Sequence, residues 1–222
     1  MYHLVVIGAS WGGLTALGQV LSGLPAEVDL PIVIAQHRHP DAQEGTLAEL
    51  LQRQIDRPVV DAEDKMAIEP RHVYVAPPDY HLLVERGSFA LSVDERVRFA
   101  RPSIDVLFES AADTYRHSVI GIILTGANDD GALGLARIKE VGGVALIQDP
   151  AEAMRRSMPD AAIAATAADA ILPLEDIGPF IYGLWAKPAA EPPVRDGEPV
   201  EGARGNWEVP PARTSRPEKT EA

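Results

Sequence analysis

The chain has 222 residues, with 33 Asp and Glu against 20 Lys and Arg, which gives a formal net charge of −13. Non-specific binding to nucleic acids or anionic membranes depends on basic surfaces, so neither is expected. The absence of Cys excludes disulfides, thiolate metal sites and a cysteine nucleophile. No apolar stretch reaches the ~20 residues of a membrane-spanning helix, and the N-terminus does not resemble a signal peptide. We therefore expect a cytoplasmic protein without membrane insertion.

Apolar runs and helical spacings alternate along the first 186 residues. The spacing predicts buried strands over 4–7, 32–35, 119–124 and 144–147, and helices over 14–24, 46–55, 103–117, 131–141, 160–168 and 174–186. Between 59 and 97, short apolar segments separated by turn residues predict β-hairpins added to the main sheet. The alternation predicts an α/β fold, a doubly wound and mostly parallel sheet with helices on both faces.

Residues 187–222 differ in composition from the rest of the chain. Prolines, glycines and charged residues dominate this segment, which includes Pro192-Pro193 and Pro210-Pro211. Such a composition buries too little apolar surface to offset the loss of chain entropy on folding. The sequence therefore predicts one folded domain over 1–186 and a disordered tail over 187–222.

The first predicted strand runs into Gly8-Ala9-Ser10-Trp11-Gly12, and a helix follows at once. A dinucleotide-binding loop is disfavoured, because that loop needs Gly where Ser10 stands and an acidic residue after the second strand. Ser10 is also compatible with a simple helix N-cap. The spacing G-x-S-x-G is typical of a sharp turn that presents a nucleophilic serine, with the helix N-terminus placed to stabilise an oxyanion.

Two further strand ends carry residues that could complete a catalytic serine site. His37 follows the second strand, and Asp129 and Asp130 follow a later central strand. Because the carboxyl ends of parallel strands share one edge of the sheet, Ser10, a histidine base and an orienting carboxylate can meet there. The residues alone do not choose between the two aspartates. A metal site through His37 and His39 is disfavoured, because alternate residues of an extended chain point to opposite faces.

Several short motifs occur in a fixed order along the chain. They are Gly8-Ala9-Ser10-x-Gly12-Gly13, Gln36-His37, Ala76-Pro77-x-Asp79-x-His81, Arg101-Pro102-Ser103-Ile104-Asp105-Val106-Leu107-Phe108, Ile123-Leu124-Thr125-Gly126 with Asp130-Gly131-Ala132, Ala145-x-x-Gln148, and Met158-Pro159. In this order and spacing the set closely resembles the catalytic domain of the chemotaxis protein-glutamate methylesterases, the CheB family. The resemblance covers residues from about 4 to about 185.

This resemblance implies a serine hydrolase that removes methyl groups from glutamate side chains on the cytoplasmic helices of chemoreceptors and releases methanol. It also implies deamidation of certain receptor glutamines, and neither a cofactor nor a metal. The roles that follow are nucleophile for Ser10, base for His37, orienting acid for Asp130, oxyanion-binding N–H groups at Trp11 and Ala127, and substrate-cleft positions for Arg101 and Met158.

The sequence departs from the family pattern in three places. Trp11 stands where the family usually has a small residue such as Thr, and Ala127-Asn128 replaces Met-Gly in the oxyanion loop. The chain also begins on the catalytic strand, so either constitutive activity or control by a separate response regulator is expected. Two alternatives remain at this point: a degenerate module that binds a signalling partner without turnover, and a hydrolase of a small ester or amide.

Overall fold

The computed structural model describes residues 2–39 and 41–187. It contains nine strands and six helices in this part of the chain. In chain order they are β1 (Leu4–Ala9), α1 (Gly13–Ser22), β2 (Ile32–Gln36), α2 (Thr46–Gln52), β3 (Val59–Asp61), β4 (Val73–Val75), β5 (His81–Glu85), β6 (Ser88–Ser92), α3 (Ile104–Tyr115), β7 (Val119–Ile123), α4 (Ala132–Glu140), β8 (Val144–Gln148), α5 (Ser157–Ala165), β9 (Ala170–Leu172) and α6 (Leu174–Trp185). Of the predicted tail, all but Lys187 lies outside the described residues.

Seven strands form one parallel sheet in the order β3-β4-β2-β1-β7-β8-β9. The chain starts at the centre with β1 and places β2 beside it, then forms the edge strand β3 and inserts β4 between β3 and β2. It later returns to pair β7 with the other edge of β1. The strand order thus reverses between β1 and β7, and in such sheets ligands bind at the carboxyl ends of the strands where this reversal occurs.

Both faces of the sheet are covered, as the continuous apolar strands require. Alternate residues of β1 illustrate the division, since Val5 and Ile7 pack with α1, α2 and α6 on one side. Leu4 and Val6 pack with α3, α4 and α5 on the other side. All six residues of β1 are buried. The predicted doubly wound α/β class is confirmed.

The segment over 59–97 differs from the prediction of hairpins added to the main sheet. Val73–Val75 is a parallel strand of that sheet, paired with β2 and β3. Its three residues are all buried, which is the pattern of a strand covered on both faces, but so short a run does not reveal its pairing in the sequence. Only His81–Glu85 and Ser88–Ser92 form a hairpin, and this hairpin is a separate two-stranded sheet.

The ends of several helices also differ from the prediction. The helix predicted over 160–168 begins at Ser157 and ends at Ala165, and the short parallel strand Ala170–Leu172 follows it. The helix predicted over 103–117 ends at Tyr115, where one 3₁₀ turn leads into β7. Within residues 2–39 and 41–187, no helix combines the length and the hydropathy that crossing a bilayer would take.

Candidate active site

Three adjacent strands bring the predicted site residues to one edge of the sheet. Strand β1 lies between β2 and β7, and near its carboxyl end Gly8 pairs with Ala35 on one side and with Ile123 on the other. Ser10 follows the end of β1, His37 follows the end of β2, and Asp130 lies in the loop after β7. The site therefore lies where the strand order reverses, which is where the topology predicts a ligand.

Ser10 stands in a tight turn between β1 and α1. Its N–H donates to the carbonyl oxygen of Thr125 at 2.9 Å, and its own carbonyl accepts from the N–H of Gly13 at 2.9 Å. Gly12 has φ of 84°, a left-handed conformation that costs a residue with a Cβ considerably more than glycine. These contacts fix the backbone of Ser10 at the start of α1 and leave its side chain partly exposed.

The imidazole of His37 lies between the serine hydroxyl and a carboxylate. Its Nδ1 is 3.2 Å from Ser10 Oγ, and its Nε2 is 2.7 Å from Asp130 Oδ2. An ionised carboxylate only accepts hydrogen bonds, so Nε2 carries the proton and the lone pair of Nδ1 faces the hydroxyl. Gln36 holds both backbones together, because its Nε2 donates to the carbonyls of Ser10 and His37 at 2.8 and 3.1 Å.

Asp130 is 1% exposed and accepts four hydrogen bonds, two at each oxygen. Oδ2 accepts from His37 Nε2 and from the N–H of Ile104 at 2.8 Å. Oδ1 accepts from Ser103 Oγ at 2.9 Å and from the N–H of Asp105 at 3.0 Å. The carboxylate thus occupies the N-terminus of α3, where free N–H groups and the helix dipole stabilise an anion.

The same contacts determine the ionisation of Asp130. Burial raises the pKa of this carboxyl, but the hydrogen bonds from His37 and from the N–H groups of Ile104 and Asp105 outweigh burial and hold the pKa below its ordinary value. Asp130 is therefore charged at neutral pH and can stabilise an imidazolium on His37.

Asp129, the other aspartate that the sequence left open, lies at the surface. Its side chain is 60% exposed and forms an ion pair with Arg98. The guanidinium of Arg98 also contacts Asp105, with Nε 3.2 Å from Oδ2. Asp105 is buried, and its Oδ1 accepts from the N–H of Gly134 at 2.7 Å, which joins the starts of α3 and α4. The geometry selects Asp130 as the partner of His37.

The two N–H groups expected to bind an oxyanion belong to Trp11 and Ala127, which follow Ser10 and Gly126 in the chain. Trp11 follows Ser10 directly, and Ala127 follows Thr125-Gly126, whose Thr125 Oγ donates to the carbonyl of Trp11 at 2.9 Å. Within the described residues, the N–H groups of Trp11 and Ala127 donate to no protein acceptor. Gly126 packs so tightly that an added Cβ would lie 2.9 Å from the Cβ of Ser10, so this loop is held directly against the nucleophile.

The two residues expected at the substrate cleft have different surroundings from those that the prediction assumed. Met158 is 1% exposed and packs beneath Gly126, so it supports the oxyanion loop from within the core rather than presenting its side chain to a substrate. Arg101 binds Asp79 with Nη2 2.9 Å from Oδ1, and its Nη1 donates to the carbonyl of Val93 at 2.7 Å. Arg101 therefore fastens the loop that precedes α3.

Two residues have supporting contacts that no local motif reveals. Ser103 is the N-cap of α3, with its Oγ accepting from Val106 N–H, and the same hydroxyl also donates to Asp130. His81 lies in β5, 2% exposed, with Nδ1 accepting from the N–H of Ser103 at 3.2 Å. His39 is exposed beside Asp41, and the described residues contain no cluster of three potential metal ligands.

The sequence and the structure were compared with those of known proteins. A family model described as CheB methylesterase matches residues 5–181. A Leptospira interrogans protein with the provisional name protein-glutamate methylesterase/protein-glutamine glutaminase is 48% identical over 184 residues, covering 82% of this chain and 95% of that protein. A Maricaulis maris protein named protein-glutamate methylesterase/protein-glutamine glutaminase is 40% identical over 81% of this chain. The chain spans only 45% of the length of that protein.

A solved structure agrees with the sequence comparisons. The crystal structure of the Thermotoga maritima CheB methylesterase catalytic domain superposes with a TM-score of 0.78 at 32% identity, covering 83% of this chain and 99% of that chain. The family model extends over the three strand ends that hold Ser10, His37 and Asp130, and over Gly126 and Met158 behind them. The chain belongs to the CheB methylesterase family.

Proposed function

We propose that the chain is a serine esterase that hydrolyses the methyl esters of glutamate side chains on chemoreceptor cytoplasmic helices. One observation carries the proposal: Ser10, His37 and Asp130 form a continuous chain of hydrogen bonds, 3.2 Å and 2.7 Å long, at the switch point of the sheet. Relatives named protein-glutamate methylesterase support the choice of ester. Ser10 is partly exposed beside the exposed Trp11, so a side chain projecting from a helical surface can reach it.

Acylation begins with a proton transfer. Nδ1 of His37 takes the hydroxyl proton while Ser10 Oγ bonds to the ester carbonyl carbon, and the charge on Asp130 stabilises the imidazolium that forms. The N–H groups of Trp11 and Ala127 bind the oxyanion of the tetrahedral intermediate, and the loss of one such donor costs about 10²–10³ in kcat. The bond from the carbonyl carbon to the methoxy oxygen then breaks, and methanol leaves with the proton from His37.

Deacylation repeats these steps with water. His37 takes a proton from water while the hydroxide bonds to the acyl carbon. The bond from that carbon to Ser10 Oγ then breaks, Oγ takes the proton from His37, and the glutamic acid side chain leaves and gives its own proton to solvent. A glutamine side chain would react in the same way, with ammonia as the leaving group in place of methanol. Deamidation therefore needs no further residue, because the imidazolium of His37 acts as the general acid that gives its proton to the departing nitrogen.

Replacement of Ser10 by Ala tests the proposal on methyl-labelled receptor. We expect methanol release to fall to the rate without enzyme, while Ser22→Ala, at the exposed end of α1, keeps the wild-type rate. A fluorophosphonate probe adds an independent readout, because only an activated serine is labelled. Full turnover by Ser10→Ala would eliminate this mechanism. An absence of labelling together with an absence of turnover would favour the alternative of a non-catalytic partner-binding module.

We also propose the bounds of the catalytic domain, its cellular location and its regulatory partner. The catalytic part is residues 1–186, which is supported by the family match over 5–181 and by the position of every site residue between Ser10 and Met158. The enzyme would act in the cytoplasm, where the cytoplasmic helices of its receptors lie. Control by a separate response regulator stays a prediction, which co-purification with the regulator in its phosphorylated form would test.

A further inference from the structure

A cation lies over the ring of Trp11, the residue that follows the proposed nucleophile Ser10. The guanidinium carbon of Arg155 is 5.6 Å from the centre of the Trp11 ring, which is 61% exposed. A guanidinium over an aromatic face gains a cation–π attraction and a fixed orientation. Trp11 therefore holds the charge of Arg155 over its own ring, and the N–H of the same residue is proposed to bind the oxyanion.

The backbone of Arg155 is fastened to the oxyanion loop. Its carbonyl accepts from the N–H of Gly126 at 3.0 Å, and its N–H donates to Thr125 Oγ at 2.9 Å. Thr125 Oγ also contacts the carbonyl of Trp11 at 2.9 Å, so Trp11, Thr125 and Arg155 form one connected unit. Because this backbone is anchored, the fold fixes the point from which the side chain of Arg155 extends.

Arg155 has no acidic partner, in contrast to the next residue of the chain, Arg156, which pairs with Asp160. Among residues 2–39 and 41–187, no carboxylate lies within 4.0 Å of Arg155. The exposed guanidinium of Arg155 thus has no acidic partner that a ligand would have to displace. It offers a charge-assisted, two-pronged site to an incoming carboxylate.

We propose that Trp11 and Arg155 form a specificity-determining site for an anionic carboxylate on the substrate helix, one turn away from the methyl ester. The proposal rests on the esterase function above. The Cα atoms of Ser10 and Trp11 are ~3.8 Å apart as chain neighbours, and residues one turn apart on a helix have Cβ atoms about 5–6 Å apart. An ester at Ser10 would thus bring a glutamate of the next turn towards Arg155. The enzyme would prefer esters flanked by unmodified glutamate over those flanked by neutral residues.

Paired helical peptides provide the test. Each carries one glutamate methyl ester, with either Glu or Gln one turn away on both sides, and methanol release gives kcat and KM. We expect wild type to favour the Glu-flanked peptide by about fivefold in kcat/KM. The preference should lie in KM, because the contact is made equally in ground and transition states. It should fade as added salt screens the pair.

Variants at two adjacent arginines separate the contact from general effects of charge. Arg155→Met keeps the backbone contacts and an unbranched side chain, and it should bring the ratio of the two peptides close to one. Arg155→Lys keeps the charge without the planar fork and should retain part of the preference. Arg156→Met, whose parent side chain pairs with Asp160, should keep the wild-type ratio.

The outcomes distinguish this inference from the function on which it rests. If wild type releases no methanol from either peptide or from methylated receptor, the esterase function itself fails. If wild type hydrolyses both peptides with equal kcat/KM, or if Arg155→Met keeps the wild-type ratio, the specificity site is refuted while the esterase stands.

Discussion

Replacing Asp130 by Asn tests the organisation of the site at its most connected residue. The carboxylate accepts four hydrogen bonds, and two of the donors are the backbone N–H groups of Ile104 and Asp105, one at each oxygen. An amide has one oxygen and one NH2 group, so one of these two N–H groups must face a donor in either orientation. A buried N–H without an acceptor costs about 1–3 kcal/mol, and we expect the free energy of unfolding to fall by that amount.

The two orientations of the amide have different effects on catalysis. With its oxygen towards His37, the amide keeps the proton on Nε2, and only the charge that stabilises the imidazolium is lost. With its NH2 towards His37, the amide favours the tautomer with the proton on Nδ1, and the lone pair facing Ser10 disappears. The corresponding change in a serine protease lowers kcat about 10⁴-fold through the wrong tautomer. We therefore expect Asp130→Asn to lose between about 10² and 10⁴ in kcat.

Methanol release from methylated receptor measures kcat, and urea unfolding measures the stability of the same preparation. Asp129→Asn is the matched control, since Asp129 is 60% exposed and bonded to Arg98 rather than to His37. It should keep kcat within about twofold, as surface changes of charge typically do. If Asp130→Asn keeps more than a tenth of the wild-type kcat, Asp130 does not orient the base, and the assignment of the triad is wrong.

Three further changes test the surroundings of the triad. Burial raises the pKa of Asp105. The free energy of folding that this shift contributes is therefore fully present below the unfolded pKa of about 4 and is lost as pH rises through the folded pKa. Asp105→Asn should remove this loss of stability, and an unchanged pH dependence of urea unfolding would contradict the reasoning. Gly126→Ala puts a Cβ 1.8 Å from Met158 Sδ, which should lower Tm and, through displacement of the oxyanion loop, kcat by about 10²; a wild-type kcat would refute the close contact. Ser103→Ala removes an N-cap and a donor to Asp130 and should cost about 1–2 kcal/mol in urea unfolding, whereas no loss would show that other donors compensate.

The central strands could be predicted because their residues carry the signal by themselves. Leu4–Ala9 and Ile32–Gln36 are continuous apolar runs, buried at every position, and each is followed by a helix of clear spacing. Val73–Val75 and Ala170–Leu172 have three residues each, and at that length a partner strand rather than any local pattern determines the structure. The sequence therefore predicted the class of the fold but not all the strands of its sheet.

The site divides in the same way between local and tertiary information. The turn at Ser10 and the N-cap at Ser103 are local and could be read from short motifs. The arrangement around Asp130 is tertiary, because the loop after β7 meets the first turn of α3 only in the folded chain. Burial could not be foreseen for Met158 either, since its contact with Gly126 depends on where α5 packs. The catalytic roles themselves stay predictions until the variants are measured.

The position of β1 at the middle of the sheet has a consequence for biosynthesis. This strand is made before both of its neighbours, and one of its edges stays unpaired until β7 is made, because Leu4 pairs with Val119. Ribosomes add about 5–20 residues per second, so the intervening stretch takes roughly 6–23 s. Throughout that interval a wholly apolar strand offers open backbone groups to other nascent chains. The arrangement that brings Ser10, His37 and Asp130 together thus leaves an apolar strand edge open to aggregation during synthesis.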